Sequence, residues 1–186
     1  GWWYVAKLPN NKLATVVASE PSIIKETGLH RMENWLGYLK ETKHVSKELA
    51  DCSAINNLSV SSTPQPKVPK IMVCAATSFR LDRTTGNGWL AVGDAASAFD
   101  PISSQGIYKA LWDALKAGKA IASYLHGDSG GLEEYESLIA SRFDNYLNQR
   151  NYFYQMERRW PTSPFWQRRQ ERTGLEKGDF VAYASI

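Results

Sequence analysis

The residue whose position most clearly suggests chemistry is an aspartate at the end of a short apolar strand-like run. Asp94 follows the strand-like run Trp89–Val92 and a single glycine, Gly93, which would let a ligand or another backbone approach closely. The small side chains of Ala95 and Ala96 leave the same space open. A carboxylate in this position can accept hydrogen bonds from sugar-like hydroxyl groups.

A helix start lies shortly after this aspartate. Pro101 fixes a turn, and a long helical pattern begins at the four residues Ser103, Ser104, Gln105 and Gly106. Backbone N–H groups in the first turn of a helix have no intrahelical partner, and the helix dipole places about half a positive charge there. The pattern therefore favours an anion or an electron-rich carbonyl system at the helix start.

The segment Gly88–Ile107 resembles a flavin-binding motif. Gly-Asp-Ala-Ala, a proline seven residues after the aspartate and a glycine five residues after that proline are typical of the flavoprotein class that includes p-hydroxybenzoate hydroxylase. The lead-in Gly-Trp-Leu-Ala-Val and the continuation Phe-Asp-Pro-Ile-Ser-Ser-Gln-Gly-Ile look closest to tryptophan-halogenase-like and geranylgeranyl-reductase-like members. Ser97 stands where the class usually has histidine. An ordinary strand–loop–helix with a capping aspartate is the alternative interpretation.

The resemblance implies a site for FAD. In that class the aspartate, here Asp94, binds the ribityl hydroxyls, and the helix after the proline directs its N-terminus at the flavin N1 and C2 carbonyl. Backbone N–H groups there would stabilise negative charge on reduced flavin. The residues implied to bind the cofactor are Gly93, Asp94, Ala95, Pro101, Ser104, Gln105, Gly106 and Ile107. Asp100 is interpreted as a turn cap or, alternatively, as a flavin neighbour.

The resemblance extends over most of the chain but leaves out half of the cofactor site. Gly1–Pro9 resembles a strand of the substrate domain, and Trp160–Arg169 resembles the C-terminal tail of the halogenase-like group. The Gly-x-Gly-x-x-Gly motif that binds ADP in this class is absent, and so are the Trp-x-Trp-x-Ile-Pro run and the active-site lysine of halogenases. We therefore expect weak or no FAD binding by this chain alone, and a partner N-terminal half that carries the missing motif.

The first residues also suggest a piece of a longer protein. The sequence has no initiating Met, and Gly1 leads directly into a strand-like run. A processed protein or a tag remnant is the alternative. A fragment separated from its other half would expose apolar surface, so we also expect that it can form a homodimer.

Composition excludes several classes of protein. The 186 residues are 43% hydrophobic and 22% charged, with a net charge of +3, which argues against a disordered chain, a nucleic-acid binder or a ligand of acidic membranes. No apolar run approaches the roughly 20 residues that span a bilayer. Cys52 and Cys74 form no Cys-x-x-Cys pair, which predicts a reducing, cytoplasmic location and two buried thiols. The three histidines lack metal-ligand spacing, so no metal site is expected.

Around the motif, the patterning predicts an α+β fold. Strand-like runs on either side of an Asn-Asn turn predict a β-hairpin over residues 2–19, followed by short helices. An apolar strand is expected at 71–76, and small and apolar residues at three-four spacing predict a long helix over 104–126. Two further helices are expected at 132–158 and 164–172.

The resemblance divides these elements into three parts. We expect residues 1–70 to form part of an antiparallel substrate-domain sheet, residues 71–127 to be the FAD-contacting strand–loop–long helix, and residues 128–186 to be a helical tail. Together they would make a truncated flavoprotein fold.

Three residues are candidates for the substrate pocket. They are Trp3, Tyr4 and Ser78. Trp3 and Tyr4 either line the pocket or pack in the core. Ser78, like the nearby Arg80, either faces the isoalloxazine or the substrate or lies on a solvated loop. The resemblance implies flavin-dependent oxidation of a small organic or amino-acid-like substrate, by hydroxylation, halogenation or hydride exchange. The alternative is a non-catalytic docking module or an inactive fragment.

Overall fold

The structure is a computed structural model that describes residues 1–9, 12–50, 71–171 and 180–185. The chain divides into two units: the first contains Gly1–Ala75 and Gly178–Ile186, and the second contains Ala76–Lys177. Helices and small antiparallel sheets are both present, so the predicted α+β class is confirmed. The serines, asparagines and three prolines of residues 53–69 predict a loop, which lies outside the described residues, as do the Asn-Asn pair of the hairpin and Cys52.

The first unit contains a four-stranded antiparallel sheet. Its strands are β1 (Trp2–Leu8), β2 (Lys12–Ser19), β3 (Met72–Ala75) and β8 (Phe180–Ser185). Strands β1 and β2 are the predicted hairpin, and the spatial order is β1-β2-β8-β3. Aromatic and β-branched residues dominate the hairpin because such side chains pack well on a pleated surface.

Three short helices cover this sheet. They are α1 (Pro21–Thr27), α2 (Met32–Lys40) and α3 (His44–Ala50). Gly28 ends α1 in the left-handed conformation, with φ at 67°. Trp35 of α2 is fully buried, and its ring lies edge-on to Trp3 with the centroids 5.2 Å apart. The other buried members of this core are Leu13, Val17, Ile24, Leu29, Leu39 and Val45.

Cys74 is free and exposed, so the prediction of a buried thiol is wrong for this residue. It lies on β3, which is an edge strand of the sheet and has all four residues exposed. Its apolar sequence predicts burial, but all four of its residues are exposed at the edge of the sheet.

The second unit begins with short ribbons and ends in helices. Strand β4 (Phe79–Arg80) pairs with β7 (Ser97–Ala98), and β5 (Thr85–Gly86) pairs with β6 (Trp89–Leu90). Two 3₁₀ turns lie on either side of β7 in the chain: Gly93–Ala95 before it and Pro101–Ser103 after it. The helices are α4 (Gly106–Leu125), α5 (Gly130–Met156) and α6 (Pro164–Glu171), close to the three helices that the sequence predicts.

Helices α4 and α5 pack through small residues. Ala117 and Ala120 of α4 share a buried cluster with Tyr135 and Ile139 of α5. The Tyr135 hydroxyl donates to the carbonyl oxygen of Ala91 at 2.9 Å. This hydrogen bond connects α5 to the segment just before Gly93 and Asp94. Burial raises the pKa of Tyr135 to about 12.

The apolar stripe of α4 lies on the exposed side of the helix. Ile107, Leu111, Leu115 and Leu125 are between 65% and 81% exposed. The buried residues of the helix are instead Lys109, Asp113, Ala117 and Ala120. A continuous exposed apolar face of this length is typical of an interaction surface.

None of the helices within the described ranges combines the length and the apolarity needed to cross a bilayer.

Candidate functional site

The turn after β6 brings the backbone close to helix α4. Gly93 adopts a φ of +62°, a conformation that residues with a side chain rarely adopt. A Cβ added there would lie 3.4 Å from the Cβ of Ala110 and 3.6 Å from its Cα. These are ordinary contact distances, so the positive φ, and not a lack of space, is what favours glycine at this position.

Substitution Gly93→Ala is expected to destabilise the chain by about 1–2 kcal/mol, because it forces a side chain into the left-handed region. Thermal unfolding of the chain measures the change. Gly118→Ala is the matched control, since Gly118 lies inside α4 and an added Cβ meets nothing within 4 Å. That control should be neutral or stabilising, by up to about 1 kcal/mol. Equal destabilisation by both variants would contradict this account of Gly93.

The carboxylate of Asp94 is both accessible and held in place. The side chain is 76% exposed, yet its Oδ1 lies 3.0 Å from the Nζ of Lys109, whose own side chain is fully buried. Lys109 also donates to the carbonyl oxygen of Ser97 and lies 5.0 Å from the centroid of the Phe99 ring. The predicted strand 89–92 is shorter in the structure, so Asp94 lies in the 3₁₀ turn that follows β6. There its exposed carboxylate is oriented by a buried cation of the same unit.

The second turn is fixed by a buried aspartate. Asp100 accepts a hydrogen bond from the backbone N–H of Ile102 at 2.9 Å, and its other oxygen accepts from the Tyr154 hydroxyl at 2.8 Å. The N–H of Asp100 donates to the Tyr146 hydroxyl at 2.7 Å. The interpretation of Asp100 as a turn cap is therefore confirmed, and these contacts join the turn to α5.

Substitution Tyr146→Phe is expected to destabilise the chain by about 1–3 kcal/mol, because it leaves the buried N–H of Asp100 without its acceptor. The same hydroxyl also contacts Ser78 Oγ. The free energy of unfolding in urea measures the loss. Tyr152→Phe serves as control, since Tyr152 lies on the same helix and is exposed. A loss no larger than that of the control would contradict the proposed role of the hydroxyl.

Helix α4 begins without a side-chain cap among the described residues. Gln105 occupies the capping position but its amide donates instead to Oε1 of Gln149 at 2.9 Å. Ser104 enters the helix with φ at 52°, and both Gly106 and Ile107 are exposed. Their N–H groups have no intrahelical acceptor, so the start of this 20-residue helix is open to a ligand.

One helical turn beyond Lys109, a buried carboxylate of α4 pairs with a partly exposed arginine of α5. Asp113 is fully buried, and its Oδ1 accepts from Nη1 of Arg142 at 2.8 Å. The guanidinium carbon of Arg142 lies 4.4 Å from the centroid of the Trp112 ring. Burial raises the pKa of Asp113, although the charges of Arg142 and Lys109 oppose that rise.

Sequence patterning does not identify Lys109, Asp113 or Arg142. The first two are one turn apart on the side of α4 opposite its apolar stripe, where charged residues normally face water. One signal could have identified Lys109 and Asp113. The apolar stripe of α4 is continuous enough to be a surface for another partner, and in that case the opposite, charged face is the one that packs inside the unit.

The residues predicted to bind FAD all lie on one continuous segment of the second unit. The contact of Asp94 with Lys109 links the first turn of this segment to helix α4. Ser78 is in the same unit, where its hydroxyl contacts Tyr146. Trp3 and Tyr4 belong to the first unit; Trp3 packs on Trp35, and Tyr4 is half exposed. Among the described residues, no cluster of His, Cys, Asp or Glu is suited to hold a metal ion.

Comparison with known proteins relates most of the chain to one family. The profile of the tryptophan halogenase family matches residues 29–179. A protein of Marinomonas mediterranea named "Putative FAD-dependent oxidoreductase LodB" is 32% identical over 176 residues, which cover 95% of this chain and 44% of that protein. A protein of Pseudoalteromonas luteoviolacea named "1H-pyrrole-2-carbonyl-[peptidyl-carrier protein] brominase" is 37% identical over 51 residues, or 27% of this chain and 13% of that protein.

These relatives are much longer than the present sequence, which spans less than half the length of either one. No solved structure matches the chain. The family profile nevertheless includes both the segment around Asp94 and the three helices after it. On this evidence the chain belongs to the tryptophan halogenase family.

Proposed function

We propose that this chain is the C-terminal part of an FAD-dependent oxidoreductase and that its segment Gly93–Ile107 holds the ribityl chain and the pyrimidine edge of the flavin. One observation carries the proposal: the exposed carboxylate of Asp94 is held in the 3₁₀ turn Gly93–Ala95, and the uncapped start of α4 follows on the same segment. The name of the Marinomonas relative, an FAD-dependent oxidoreductase, supports the same cofactor.

The residues present fit the chemistry of a flavin. Asp94 offers an oriented acceptor for ribityl hydroxyls. Its neighbours Gly93 and Ala95 complete the turn: Gly93 supplies the positive φ, and Ala95 carries only a small side chain. The N–H groups of Gly106 and Ile107 would stabilise negative charge on the pyrimidine edge. The remaining residues of this proposed site, Pro101, Ser104 and Gln105, shape the turn and the helix start. Bound flavin supplies the redox chemistry, and this chain positions it and tunes its charge.

The proposed reaction is oxidation of a small organic or amino-acid-like substrate, of the monooxygenase or halogenase type. The brominase among the relatives and the family itself support halogenation most strongly. Trp3, Tyr4 and Ser78 remain predictions for the substrate pocket. We propose that the residues that activate the substrate lie mostly in the part of the relatives that this chain does not cover.

The exposed face of α4 fits a partner that completes the protein. It presents Ile107, Leu111, Leu115 and Leu125 over most of the length of the helix, interleaved with small residues. The Marinomonas relative has more than half of its length outside the matched region. We propose that an N-terminal half, carrying the ADP-binding motif, packs on this face.

The test is a visible absorbance spectrum of the longer protein that contains this chain, purified without added cofactor. Flavin bands are expected, and chromatography of the released compound should identify it as FAD. The 186-residue chain alone should show weak or no flavin absorbance. A colourless longer protein that takes up no added FAD would contradict the proposal.

A non-catalytic docking module is the second candidate, favoured by the same apolar face of α4. In that case the chain would bind a separate protein or a second copy of itself and would need no flavin. Analytical ultracentrifugation of the chain, combined with the flavin measurement above, distinguishes the two. A stable complex without flavin in either preparation favours the docking module.

A further inference from the structure

We infer that Lys109 is a positioning residue that orients the Asp94 carboxylate for its ligand, an inference that rests on the proposed function. Nothing in the sequence pattern marks this lysine, and no part of it is accessible to solvent. It would act through Asp94 and need not touch the flavin itself.

The contacts of Lys109 join three separate pieces of the second unit. Its Cα belongs to α4, its Nζ lies 3.0 Å from Asp94 Oδ1 in the first 3₁₀ turn, and it donates to the carbonyl oxygen of Ser97 in β7. The Phe99 ring, 5.0 Å away, adds a cation–π contact. The position of the carboxylate is therefore coupled to the helix whose start would face the same ligand.

Among the carboxylates near Lys109, the one in direct contact with its ammonium group is that of Asp94. The charge of Lys109 also acts on the nearby carboxylate of Asp113, but the direct ion pair of Asp113 is with Arg142, at 2.8 Å. A buried ammonium requires a counter-charge and acceptors. Asp94 is mostly exposed, so without Lys109 its side chain would be free to turn into water and would have to be ordered again on binding.

The inference is tested by titrating FAD into the flavin-free form of the longer protein. Lys109→Met is expected to weaken FAD binding by about 10-fold or more. The substitution removes the charge-assisted contact that holds the Asp94 carboxylate in the orientation that accepts from the ligand. Lys119→Met is the matched control, because it removes an exposed lysine from the same helix. That control should change the affinity by less than about twofold.

A double-mutant cycle separates positioning from a purely structural role. If Lys109 acts through Asp94, then adding Lys109→Met to Asp94→Ala should weaken binding by less than about a further twofold. Losses that simply multiply would overturn the inference.

The remaining outcomes are also decisive. If Lys109→Met does not fold, Lys109→Gln keeps a donor for the Ser97 carbonyl without the charge, and the loss of affinity should persist. Failure of both variants to fold would make Lys109 structural and overturn the inference. An Asp94→Ala variant with unchanged affinity would instead contradict the proposed flavin site. Weakened binding in Asp94→Ala but unchanged binding in the lysine variants would overturn only the role of Lys109.

Discussion

Substitution Asp94→Ala in the longer protein is expected to weaken FAD binding by about 10- to 100-fold. Hydrogen bonds to a charged acceptor contribute about 1.5–3 kcal/mol, and about 1.4 kcal/mol corresponds to a factor of ten in affinity. The carboxylate of Asp94 is exposed and already oriented by Lys109, so a ligand hydroxyl can reach it without rearrangement of the turn. Titration of the flavin-free protein with FAD, followed by flavin fluorescence, measures the change.

Two further variants make this result specific. Asp94→Asn keeps an acceptor oxygen and should lose less affinity than Asp94→Ala. Asp82→Ala removes another exposed aspartate from the same unit and should leave the affinity unchanged. Because Asp94→Ala also removes the counter-charge of Lys109, thermal unfolding must show that the variant is folded at the temperature of titration. An affinity equal to that of the unsubstituted protein would contradict the assignment of Asp94.

Substitution Arg142→Met is expected to destabilise the chain by about 3–5 kcal/mol at neutral pH, because it leaves the buried carboxylate of Asp113 without its ion pair. Urea unfolding monitored by circular dichroism measures the loss. The double variant Arg142→Met with Asp113→Leu replaces both charges by apolar side chains, and it should recover most of the stability. A double variant as unstable as Arg142→Met would contradict the argument.

The same pair predicts a dependence on pH with a definite sign. Burial raises the pKa of Asp113 above its ordinary value of 3.8. A carboxyl whose pKa is higher in the folded state weakens the fold once it ionises, so its effect on stability becomes unfavourable as the pH rises from 3.8 through the raised pKa. In Arg142→Met that pKa should rise further. The destabilisation should therefore shrink as the pH is lowered toward 4, and a constant deficit would contradict this explanation.

The local sequence pattern predicts the hairpin and the long helices, because these elements depend on residues that are close together in the chain. The hairpin follows from two β-rich runs on either side of an Asn-Asn pair, and α4 and α5 follow from sustained three-four spacing. Strand β8 is different: it pairs with β2 and β3 from the far end of the chain, and no local signal announces such a pairing. The segment that contains it, 128–186, reads from its sequence as a helical tail.

Exposure is the property that the sequence predicts least well here. The apolar runs at β3 and along α4 suggest burial, yet Cys74 and Leu111 are exposed. Conversely, Lys109 and Asp113 are fully buried, although charged side chains are rarely inside a protein unless they are paired. Periodicity identifies the faces of a helix, but it does not say which face the rest of the chain will cover.

In the candidate site, too, the sequence predicts some residues and only the structure identifies the others. The sequence indicates Asp94, Pro101 and the helix start through a resemblance to a known flavin-binding motif, whose residues are contiguous in the chain. The residues that hold this motif in place come from positions distant in sequence, such as Tyr146 and Tyr154, which bond to Asp100. Such support depends on tertiary contacts, so it becomes visible only in the structure.

Hydrogen–deuterium exchange of the longer protein, with and without FAD, tests the central claim most directly. The account predicts that saturating FAD slows exchange of the backbone amides of Gly106 and Ile107, because these groups would gain an acceptor on the flavin. The reference is the same measurement on Asp94→Ala at equal flavin occupancy, in which the same amides should still be protected. Tight FAD binding that leaves exchange across Gly93–Ile107 unchanged would contradict the account and place the flavin elsewhere.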